Sequence, residues 1–275
     1  MALLQKGYLG TTPLFRNEDW FEDGAQQIVT PRGLSVNTTA SATAHTKGAW
    51  SQLISSTNSD ASAIWLFVNN SASATDTAAL LDVGTGASGS ETSVISNIAI
   101  GSANQWRVLL PLKIPSGTRI AARVQSVVSS RVASIGVQPI NVGDYATAPT
   151  SLDVIGSDTA TSKGTSFSGA SGTWVQGIAS TSQAYRGVAL IVSGHDANFG
   201  NQSGVLFTVG VGASGSEVEF GDMYLGLINN ETISTELGTG TQLFGRSIPA
   251  GSRLAVKHTI TADPSKYGFT LIGIP

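Results

Sequence analysis

Short runs of β-branched and aliphatic residues alternate along this chain with clusters of Gly, Ser, Thr, Asn and Asp. The clusters recur roughly every 8 to 12 residues, a spacing typical of β-sandwiches and barrels. A period of two is clearest where Phe207, Val209 and Val211 would share one face of a strand while Leu206 and Thr208 take the other. No segment of about 12 residues shows helical periodicity with caps. The pattern therefore predicts an all-β fold.

The apolar runs place seven predicted strands in the first half of the chain and eight in the second. Those of the first half are Trp50–Ile54, Ile64–Val68, Leu80–Val83, Val94–Ile100, Val108–Ile114, Thr118–Val127 and Ser134–Pro139. Those of the second half are Trp174–Ile178, Val188–Val192, Val205–Val211, Val218–Phe220, Tyr224–Ile228, Gln242–Ile248, Ser252–Thr259 and Gly268–Ile274. Seven or eight short antiparallel strands in each half indicate two-sheet sandwiches of the jelly-roll kind.

One unusual string occurs twice, because VGTGASGSE at Val83–Glu91 returns as VGVGASGSE at Val209–Glu217. Two further blocks pair in the same order, Gly48–Gln52 with Gly172–Gln176 and Pro115–Ala121 with Pro249–Ala255. The three offsets are 124, 126 and 134 residues. These offsets far exceed the roughly 20 to 50 residues of a solenoid repeat or propeller blade. The chain is therefore a tandem duplication of a whole domain.

Three segments follow from the duplication. Residues 1–40 have no counterpart in the second copy and are predicted to form an extended N-terminal arm. Residues 41–142 form the first β-sandwich and residues 151–275 the second. The seam between the domains is predicted at Asn141 to Ser151, where Gly and Pro interrupt the apolar alternation.

The aromatic residues of the arm include Phe15, Trp20 and Phe21, and the last two lie among four acidic residues. Aromatic side chains outside a domain core bury their surface only against another element or chain, and such anchors often dominate contact energy. We therefore expect these three to form an assembly interface. Trp65 and Trp106 are further interface candidates, because their counterparts in the second copy are Ala189 and, by the later offset, Gly240.

The composition narrows the possible functions. Charged residues make up 12% of the chain, against about 25% in a typical soluble domain, and the net charge is -3. This balance gives no electrostatic footprint for nucleic acid. The chain has no cysteine, which excludes disulfides, thiol catalysis and thiolate metal sites. Residues 1–7 hold too short an apolar run for a signal peptide, and no stretch reaches the ~18 apolar residues of a membrane span. Synthesis in the cytoplasm and no membrane insertion are expected.

Both copies of the repeated string satisfy the dinucleotide fingerprint G-x-G-x-x-G, starting at Gly84 and Gly210. The fingerprint binds pyrophosphate only where a helix begins at the loop, because the helix amides and dipole hold the anion. The residues that follow Glu91 and Glu217 are predicted to form strands instead. We interpret both strings as tight turns and expect no cofactor.

An acid and a base are duplicated: Glu91 and Glu217 follow the glycine turns, and Arg119 and Arg253 follow a Pro-x-Gly turn. They are either a ligand site kept twice or structural groups, with the carboxylate accepting turn amides and the arginine pairing across a sheet edge. We favour the structural interpretation. A glycoside hydrolase needs two opposed carboxylates in one cleft, and only one acid is duplicated in each domain.

The three histidines are far apart in sequence and match no metal-binding spacing, so no metal site is expected. No Gly-x-Ser-x-Gly nucleophile elbow is present either. One polar loop has an aromatic residue that could grip a sugar or a cation, and its candidate ligand residues are His195, Asp196, Asn198 and Phe199. The alternative is an ordinary Asp/Asn/Gly turn. No residue set for catalysis emerges, and we expect the chain not to be an enzyme.

The chain resembles a family of tailed-bacteriophage virion structural proteins. The resemblance rests on LDVGTGASGSE at Leu81–Glu91 and IPSGTRIAARVQ at Ile114–Gln125. It covers most of residues 45–140 well and residues 172–275 less well, since the second copy departs at Leu254–Lys257. Such modules imply a β-rich structural protein and carry no catalytic residue. Head-decoration, neck, tail and fibre proteins all use them.

The leading hypothesis is therefore a non-enzymatic virion protein that docks by its N-terminal arm as a head-decoration, neck or tail-appendage component. Its partners would be other virion proteins and copies of itself. The first alternative is a carbohydrate- or receptor-binding module of a tail fibre or spike that grips a host-surface glycan. The second is a hydrolase acting on a cell-surface polymer, for which the sequence supplies neither paired carboxylates nor a nucleophile and base.

Overall fold

The computed structural model describes residues 27–28, 35–70, 78–101, 104–141, 145–194, 202–228, 233–234, 241–261 and 263–275. These residues form strands joined by turns, with a single 3₁₀ turn at Pro264–Lys266. No helix in this part of the chain is long and apolar enough to cross a membrane. The strands of the first half are β1 Gln27–Ile28, β2 Val36–Thr39, β3 Ser51–Ile54, β4 Ala61–Asn70, β5 Ala79–Thr85, β6 Thr92–Ile100, β7 Asn104–Ile114, β8 Ile120–Ser126 and β9 Val132–Asn141. Those of the second half are β10 Asp153–Ile155, β11 Ser157–Asp158, β12 Lys163–Ser166, β13 Trp174–Ile178, β14 Tyr185–Gly194, β15 Gln202–Val211, β16 Val218–Ile228, β17 Ile233–Ser234, β18 Thr241–Ile248, β19 Leu254–His258 and β20 Tyr267–Ile274.

Each half folds into an antiparallel jelly roll of two sheets. In domain 1, sheet A has the order β2-β9-β4-β7 and sheet B the order β3-β8-β5-β6. In domain 2, sheet C has the order β12-β20-β14-β18 and sheet D the order β13-β19-β15-β16. These four-stranded orders correspond strand for strand, and the short strands β1, β10, β11 and β17 pair beside them. The duplication seen in the sequence is therefore a duplication of topology. The predicted fold class is confirmed.

The predicted arm shares its last residues with domain 1. Strand β2 pairs with β9 from Val36 opposite Ile135 to Thr39 opposite Val132. The short strand β1 pairs with the far end of β9. Thr38 is fully buried and Ala40 belongs to the core. Residues 36–40 therefore lie in the sandwich, because β2 supplies the first strand of the jelly roll.

Alternation along the strands separates the core from the outer faces. On β4, Ile64 and Leu66 point into the core of domain 1, while Trp65 and Phe67 lie half-buried on the outer face of sheet A. In domain 2, Phe167 packs against Phe207 and Phe269, with ring centroids 5.2 and 5.0 Å apart. Each sandwich thus has its own apolar filling.

The two domains share a buried interface. The outer face of sheet C, formed by Ala189, Ile191, Ile272 and Ile274, belongs to the same hydrophobic cluster as the core of domain 1. It lies against the side of domain 1 where β6 and β7 are the edge strands. The backbone N–H of Ala99 on β6 donates to Thr270 Oγ1 on β20 at 3.4 Å. The interface therefore covers strand edges that would otherwise be open to pairing.

Polar contacts at the interface are made by the turn between β11 and β12. Gln125 Nε2 of domain 1 donates to the carbonyl oxygen of Thr159 at 2.8 Å and to Ser162 Oγ at 3.0 Å. His45 Nδ1 lies 3.0 Å from the same hydroxyl. The domains are thus joined by specific hydrogen bonds as well as by apolar packing.

The second copy differs from the first between its strands β16 and β18. The prediction of two separate strands over Val218–Phe220 and Tyr224–Ile228 is wrong, because β16 runs through both with a bulge opposite Val209 and Gly210. Leu227 and Ile228 at its end pair with β17 in a short hairpin. The residues gained by the second copy therefore lie mainly in this connection, as the offset change indicated.

Candidate functional site: the duplicated turns and the interdomain cleft

The duplicated acid and base form the same buried ion pair in both domains, which we call the Arg–Glu turn cluster. Arg119 Nη1 donates to Glu91 Oε1 at 2.6 Å, and Arg253 Nη1 donates to Glu217 Oε1 at 2.6 Å. The arginines also donate through Nε to Gln52 and Gln176 at 3.0 and 2.9 Å. Each arginine further donates to the carbonyl oxygen of the second glycine of the repeated string, at 3.4 Å.

Both carboxylates are almost completely buried, with 1% of the side chain exposed in each domain. Burial opposes ionisation of Glu91, but hydrogen bonds from its own backbone N–H, from Arg119 and from the backbone of Gly89 outweigh it. The pKa of Glu91 therefore lies below its usual value. The same groups act on Glu217, whose pKa is lowered for the same reason. Each carboxylate stays ionised and paired with the arginine of its own domain.

The repeated glycines are needed for two different reasons. Gly86 and Gly212 have φ of 123° and 130°, a region that favours glycine. Gly84 has no such φ, but a Cβ there would lie 2.6 Å from Trp50 Cη2. Strands β6 and β16 begin directly after the two strings. Both strings are therefore turns between strands, as interpreted from the sequence.

The repeated tryptophans, Trp50 and Trp174, lie against Gly84 and Gly210, and a cation lies close to each ring. Arg123 Cζ is 4.5 Å from the Trp50 ring centroid in domain 1. Lys257 Nζ is 5.0 Å from the Trp174 ring centroid in domain 2. Arg123 and Lys257 occupy equivalent places in the two jelly rolls, as their pairing opposite Asp82 and Thr208 shows. The tryptophan, its contact with a glycine and the nearby cation are therefore all repeated in the second domain.

Domain 1 has a second charge cluster that the described residues of domain 2 do not repeat. Asp82, whose side chain is 2% exposed, accepts from Lys47 Nζ at 2.6 Å and from Arg123 Nε at 2.8 Å. Lys47 Nζ also donates to Asn97 Oδ1 at 2.6 Å. Burial lowers the pKa of Lys47, although Asp82 opposes the effect. In domain 2 the equivalent of Asp82 is Thr208, and Lys257 pairs with Glu219 instead. The sequence analysis missed this cluster, for which a charged residue within the apolar run of β5 was the available signal.

A cleft of about 480 Å³ opens at the domain boundary, beside β6. Serine, asparagine and aliphatic side chains line it, together with Asp153 and Tyr185. Asp153 Oδ2 accepts from the Tyr185 hydroxyl at 2.9 Å and from Gln183 Nε2 at 2.7 Å. Burial raises the pKa of Tyr185 to about 12. With one carboxylate among its described lining residues, the cleft can bind hydroxyl groups but offers no opposed acid pair.

The remaining candidates from the sequence stand as follows. Phe15, Trp20 and Phe21 lie outside the described residues, as do His195, Asp196, Asn198 and Phe199. His258 is fully buried in domain 2, where its Nδ1 accepts from the Ile260 backbone N–H at 3.2 Å. Burial lowers its pKa. Among the residues that the structure describes, no three His, Asp or Glu side chains are grouped so that they could hold a metal ion.

Removing the guanidinium of the Arg–Glu turn cluster is expected to destabilise the protein in a pH-dependent way. The lowered pKa of Glu91 means that its ionised form contributes stability above the usual carboxyl pKa of about 4.3, and that this contribution is lost as pH falls through the folded-state pKa. In Arg119→Met, only the backbone hydrogen bonds to the Glu91 carboxylate remain to oppose the effect of burial on its ionisation. Urea unfolding should therefore show a large stability loss at pH 7 and a smaller one at pH 3. Gln52→Ala, which leaves the ion pair in place, is the control. An equal loss for Arg119→Met at both pH values would show that the ion pair is not its source.

No family model matches this chain, and no curated protein matches it. Three solved structures are similar over most of their length. Recombinant N-glycanase F (PNGase F) has 13% identity and a TM-score of 0.32, with 87% of this chain and 95% of that chain covered. The STIV MCP, a viral major capsid protein, has 10% identity and a TM-score of 0.28, with coverages of 92% and 98%. The PBSX exported protein XepA has 9% identity and a TM-score of 0.27, with coverages of 92% and 89%. At TM-scores this low the likenesses carry no argument about activity or partners.

Proposed function

We propose that this chain is a non-enzymatic structural component of a phage virion, which docks by its N-terminal arm as a head-decoration, neck or tail-appendage protein. The proposal rests on the bonds that the duplicated residues form in the structure. Glu91, Arg119 and Gln52, like their second-copy equivalents, are bonded to one another and to their own turn. Side chains held in this way stabilise a sandwich, and their carboxylates are almost completely buried, with 1% exposed.

The shared interface supports a role as a rigid block. Sheet C packs its apolar outer face on domain 1, so the two jelly rolls are held in one arrangement. The surface has few charges, since only 12% of all residues are charged. Proteins that pack beside other chains in a shell or tail need both properties, because a rigid shape and a weakly charged surface allow close contact.

The path of the chain supports docking by the arm. Strand β1 pairs with β9 through Gln27 and Ile28, opposite Asn141 and Ile140. The arm therefore joins domain 1 at the edge of sheet A and is anchored there by ladder hydrogen bonds. We propose that residues 1–26, which precede this paired strand, make the contact with a neighbouring chain.

Deleting residues 2–26 is expected to abolish incorporation into particles while leaving both domains folded. The deletion keeps β1, and the thermal unfolding midpoint should stay close to that of the full chain. The physical reason is that Phe15, Trp20 and Phe21 would be the desolvated anchors of the contact. Incorporation is measured by quantifying the protein in purified particles.

A Glu18→Gln, Glu22→Gln variant is the matched control, since it changes the same segment but retains the aromatic residues. It should incorporate normally. Truncated protein present at wild-type occupancy would show that the arm is not the docking element. Electron microscopy of particles labelled through a C-terminal linker would then place the protein, with label over the head indicating decoration and label on the tail indicating an appendage.

Glycan binding is a second candidate function, favoured by the interdomain cleft. The cleft joins hydroxyl-bearing side chains such as Ser93 and Ser182 to the Asp153–Tyr185 pair and to aliphatic walls. Sugar sites combine apolar contact with a few fixed polar groups in the same way. Binding on a glycan array that is lost in Asp153→Ala would support this function over a purely structural one.

A further inference from the structure

Strand β6 carries a bulge beside the interdomain cleft. Its ladder with β5 shifts register between Leu81 and Val83. Two residues of β6, Ser96 and Asn97, therefore lie opposite the single residue Asp82. Asn97 has a φ of 66°, a left-handed value that is uncommon for a residue other than glycine. Ser96 and Asn97 both line the cleft, so the bulge shapes its wall.

The second charge cluster of domain 1 holds this bulge in place. The backbone N–H of Asn97 donates to Asp82 Oδ1 at 2.8 Å. Lys47 Nζ donates to Asp82 Oδ1 and to Asn97 Oδ1, in both cases at 2.6 Å. Because an ammonium group can only donate, it fixes which end of the Asn97 amide it meets. The other end, Nδ2, is a donor without a partner among the described residues.

Domain 2 shows the same pair of strands without the cluster. Thr208 stands at the place of Asp82, opposite Asp222 on β16. The ladder runs through this place, from Phe207 to Val209, without a shift in register. The jelly roll therefore forms without the buried aspartate and without the bulge that it supports. This difference points to a role for the cluster at the cleft, on the side of domain 1.

Other polar groups of the cleft also have unused hydrogen-bonding capacity. Two hydrogen bonds occupy Oδ2 of Asp153, whereas its Oδ1 accepts none from the residues that the structure describes. The hydroxyls of Ser93, Ser96 and Ser151 form none with those residues either. Aliphatic side chains in the same lining supply apolar contact. The volume of about 480 Å³ lies within the roughly 300 to 1,000 Å³ of small-molecule sites, which combine such walls with a few polar groups.

The charge of the lining decides which saccharides fit. Asp153 is the one carboxylate among the described lining residues, and they include no lysine or arginine. Lys47, which supports the bulge, is already paired with Asp82. An anionic sugar would therefore place a second negative charge near Asp153 without a cation to pair with it, which opposes binding. A neutral sugar offers hydroxyls that can donate to Asp153 and accept from Asn97, and its C–H groups can contact the aliphatic walls.

We propose that the interdomain cleft binds a neutral saccharide, and that Asn97, positioned by Asp82 and Lys47, holds it by donating from Nδ2 to a sugar hydroxyl. Asp153 accepts from another hydroxyl and rejects sugars that carry a carboxylate. The proposal rests on the second candidate function, glycan binding, and names its ligand class and its selecting residues. The virion role does not depend on it.

Saturation-transfer NMR titrations of the full-length protein provide the test, with the methyl glycosides of glucose, galactose and mannose as probes. Each is paired with its methyl uronoside, which carries a carboxylate in place of the hydroxymethyl group. At least one neutral probe should bind, and its acidic counterpart should bind about tenfold more weakly or not at all, because like charges repel. Asp153→Asn keeps an acceptor but removes the charge, so it should bring the two affinities together.

Asn97→Gly tests the proposed donor, because glycine adopts a φ of 66° at little cost and only the amide is lost. It should weaken binding by about tenfold with an unchanged thermal midpoint. Lys47→Met should weaken binding by wild type but not further by Asn97→Gly, since the lysine acts through Asn97. Thr92→Ala is the control, because this exposed residue of β6 is not among the cleft residues, and it should bind like wild type.

Each contrary result overturns the proposal. Uronosides that bind as tightly as the neutral probes would show that the cleft does not select by charge, while glycan binding itself would stand. Unchanged affinity in Asn97→Gly would place the sugar outside the cleft. Lys47→Met that weakens Asn97→Gly further would show that the lysine does not act through this residue. If none of the six probes binds, the proposal fails, and the glycan array decides separately whether glycan binding stands.

Discussion

Replacing Ile272 with aspartate is expected to unfold both domains together. Ile272 lies on β20 with none of its surface exposed, in the apolar cluster that joins sheet C to the core of domain 1. Its neighbours across the ladders are Val154 and Ala189, which offer an ionised carboxylate no partner. An unpaired buried charge costs more than about 4 kcal/mol, a large part of the stability of an ordinary domain. The loss falls on both domains because the residue fills a shared interface.

Hydrogen exchange during urea unfolding would test this coupling, with β5 reporting on domain 1 and β15 on domain 2. Protection of both strands should be lost at the same, lowered urea concentration. Val128→Asp is the matched control, because Val128 is 40% exposed in the turn after β8 and the charge stays in water. Native protection of β5 beside an unfolded β15 would show that the domains fold independently and that the shared cluster does not couple them.

This coupling was open to prediction from the sequence only in part. The sequence predicts a seam at Asn141 to Ser151 and two separate sandwiches. The continuous apolar runs Val188–Val192 and Gly268–Ile274 were the available signal, since strands with near-continuous apolar runs are buried on both faces. The pattern alone does not separate the two cases, since Ile64 to Val68 on β4 are also all apolar although Trp65 and Phe67 are only half-buried. The pattern could not show which surface covers the outer face of sheet C, because that surface belongs to β6 of the other domain.

The unpredicted strands share one physical cause. Strand β2 is Val-Asn-Thr-Thr, with a single strongly apolar residue, and Thr38 is buried through its place in the ladder beside β9. Strands β11 and β12 are also short and polar, and β10 is only three residues long. Such segments become strands because a neighbouring edge offers hydrogen bonds, which is tertiary information. The longer strands were found because their own side chains fill the core.

The candidate site shows the same division. The repeat identified Glu91, Arg119 and Trp50 as structurally important, and turn chemistry gave the carboxylate its amide partners. The pairing of the arginine with the glutamate itself required the fold, since the residues are 28 positions apart and meet only when β5, β6 and β8 lie side by side. The contact between Trp50 and Gly84 could not be predicted either, because the two residues meet only when their strands lie in the same sheet.

Placing a methyl group on that glycine is expected to destabilise each domain by a measurable amount. A Cβ on Gly84 would lie 2.6 Å from Trp50 Cη2, and one on Gly210 would lie 2.6 Å from Trp174 Cη2. Each ring also has a cation close to its centroid, so moving the ring would disturb that contact. Gly84→Ala and Gly210→Ala should each lower the free energy of unfolding by about 1 to 3 kcal/mol, the usual cost of overpacking.

A double-mutant cycle separates this clash from any effect on the backbone. In a Trp50→Ala background the ring is absent and only the Thr92 carbonyl oxygen, 3.0 Å from the added Cβ, opposes the change. Gly84→Ala should therefore cost less there, and the difference between the two costs is the coupling energy. Gly89→Ala is the control, because a Cβ there meets nothing within 4 Å and only its φ of 82° opposes the change. Its cost should be unaffected by Trp50→Ala. If Gly84→Ala costs the same with and without Trp50, the tryptophan does not rest on the glycine, and the repeated Gly and Trp were kept for separate reasons.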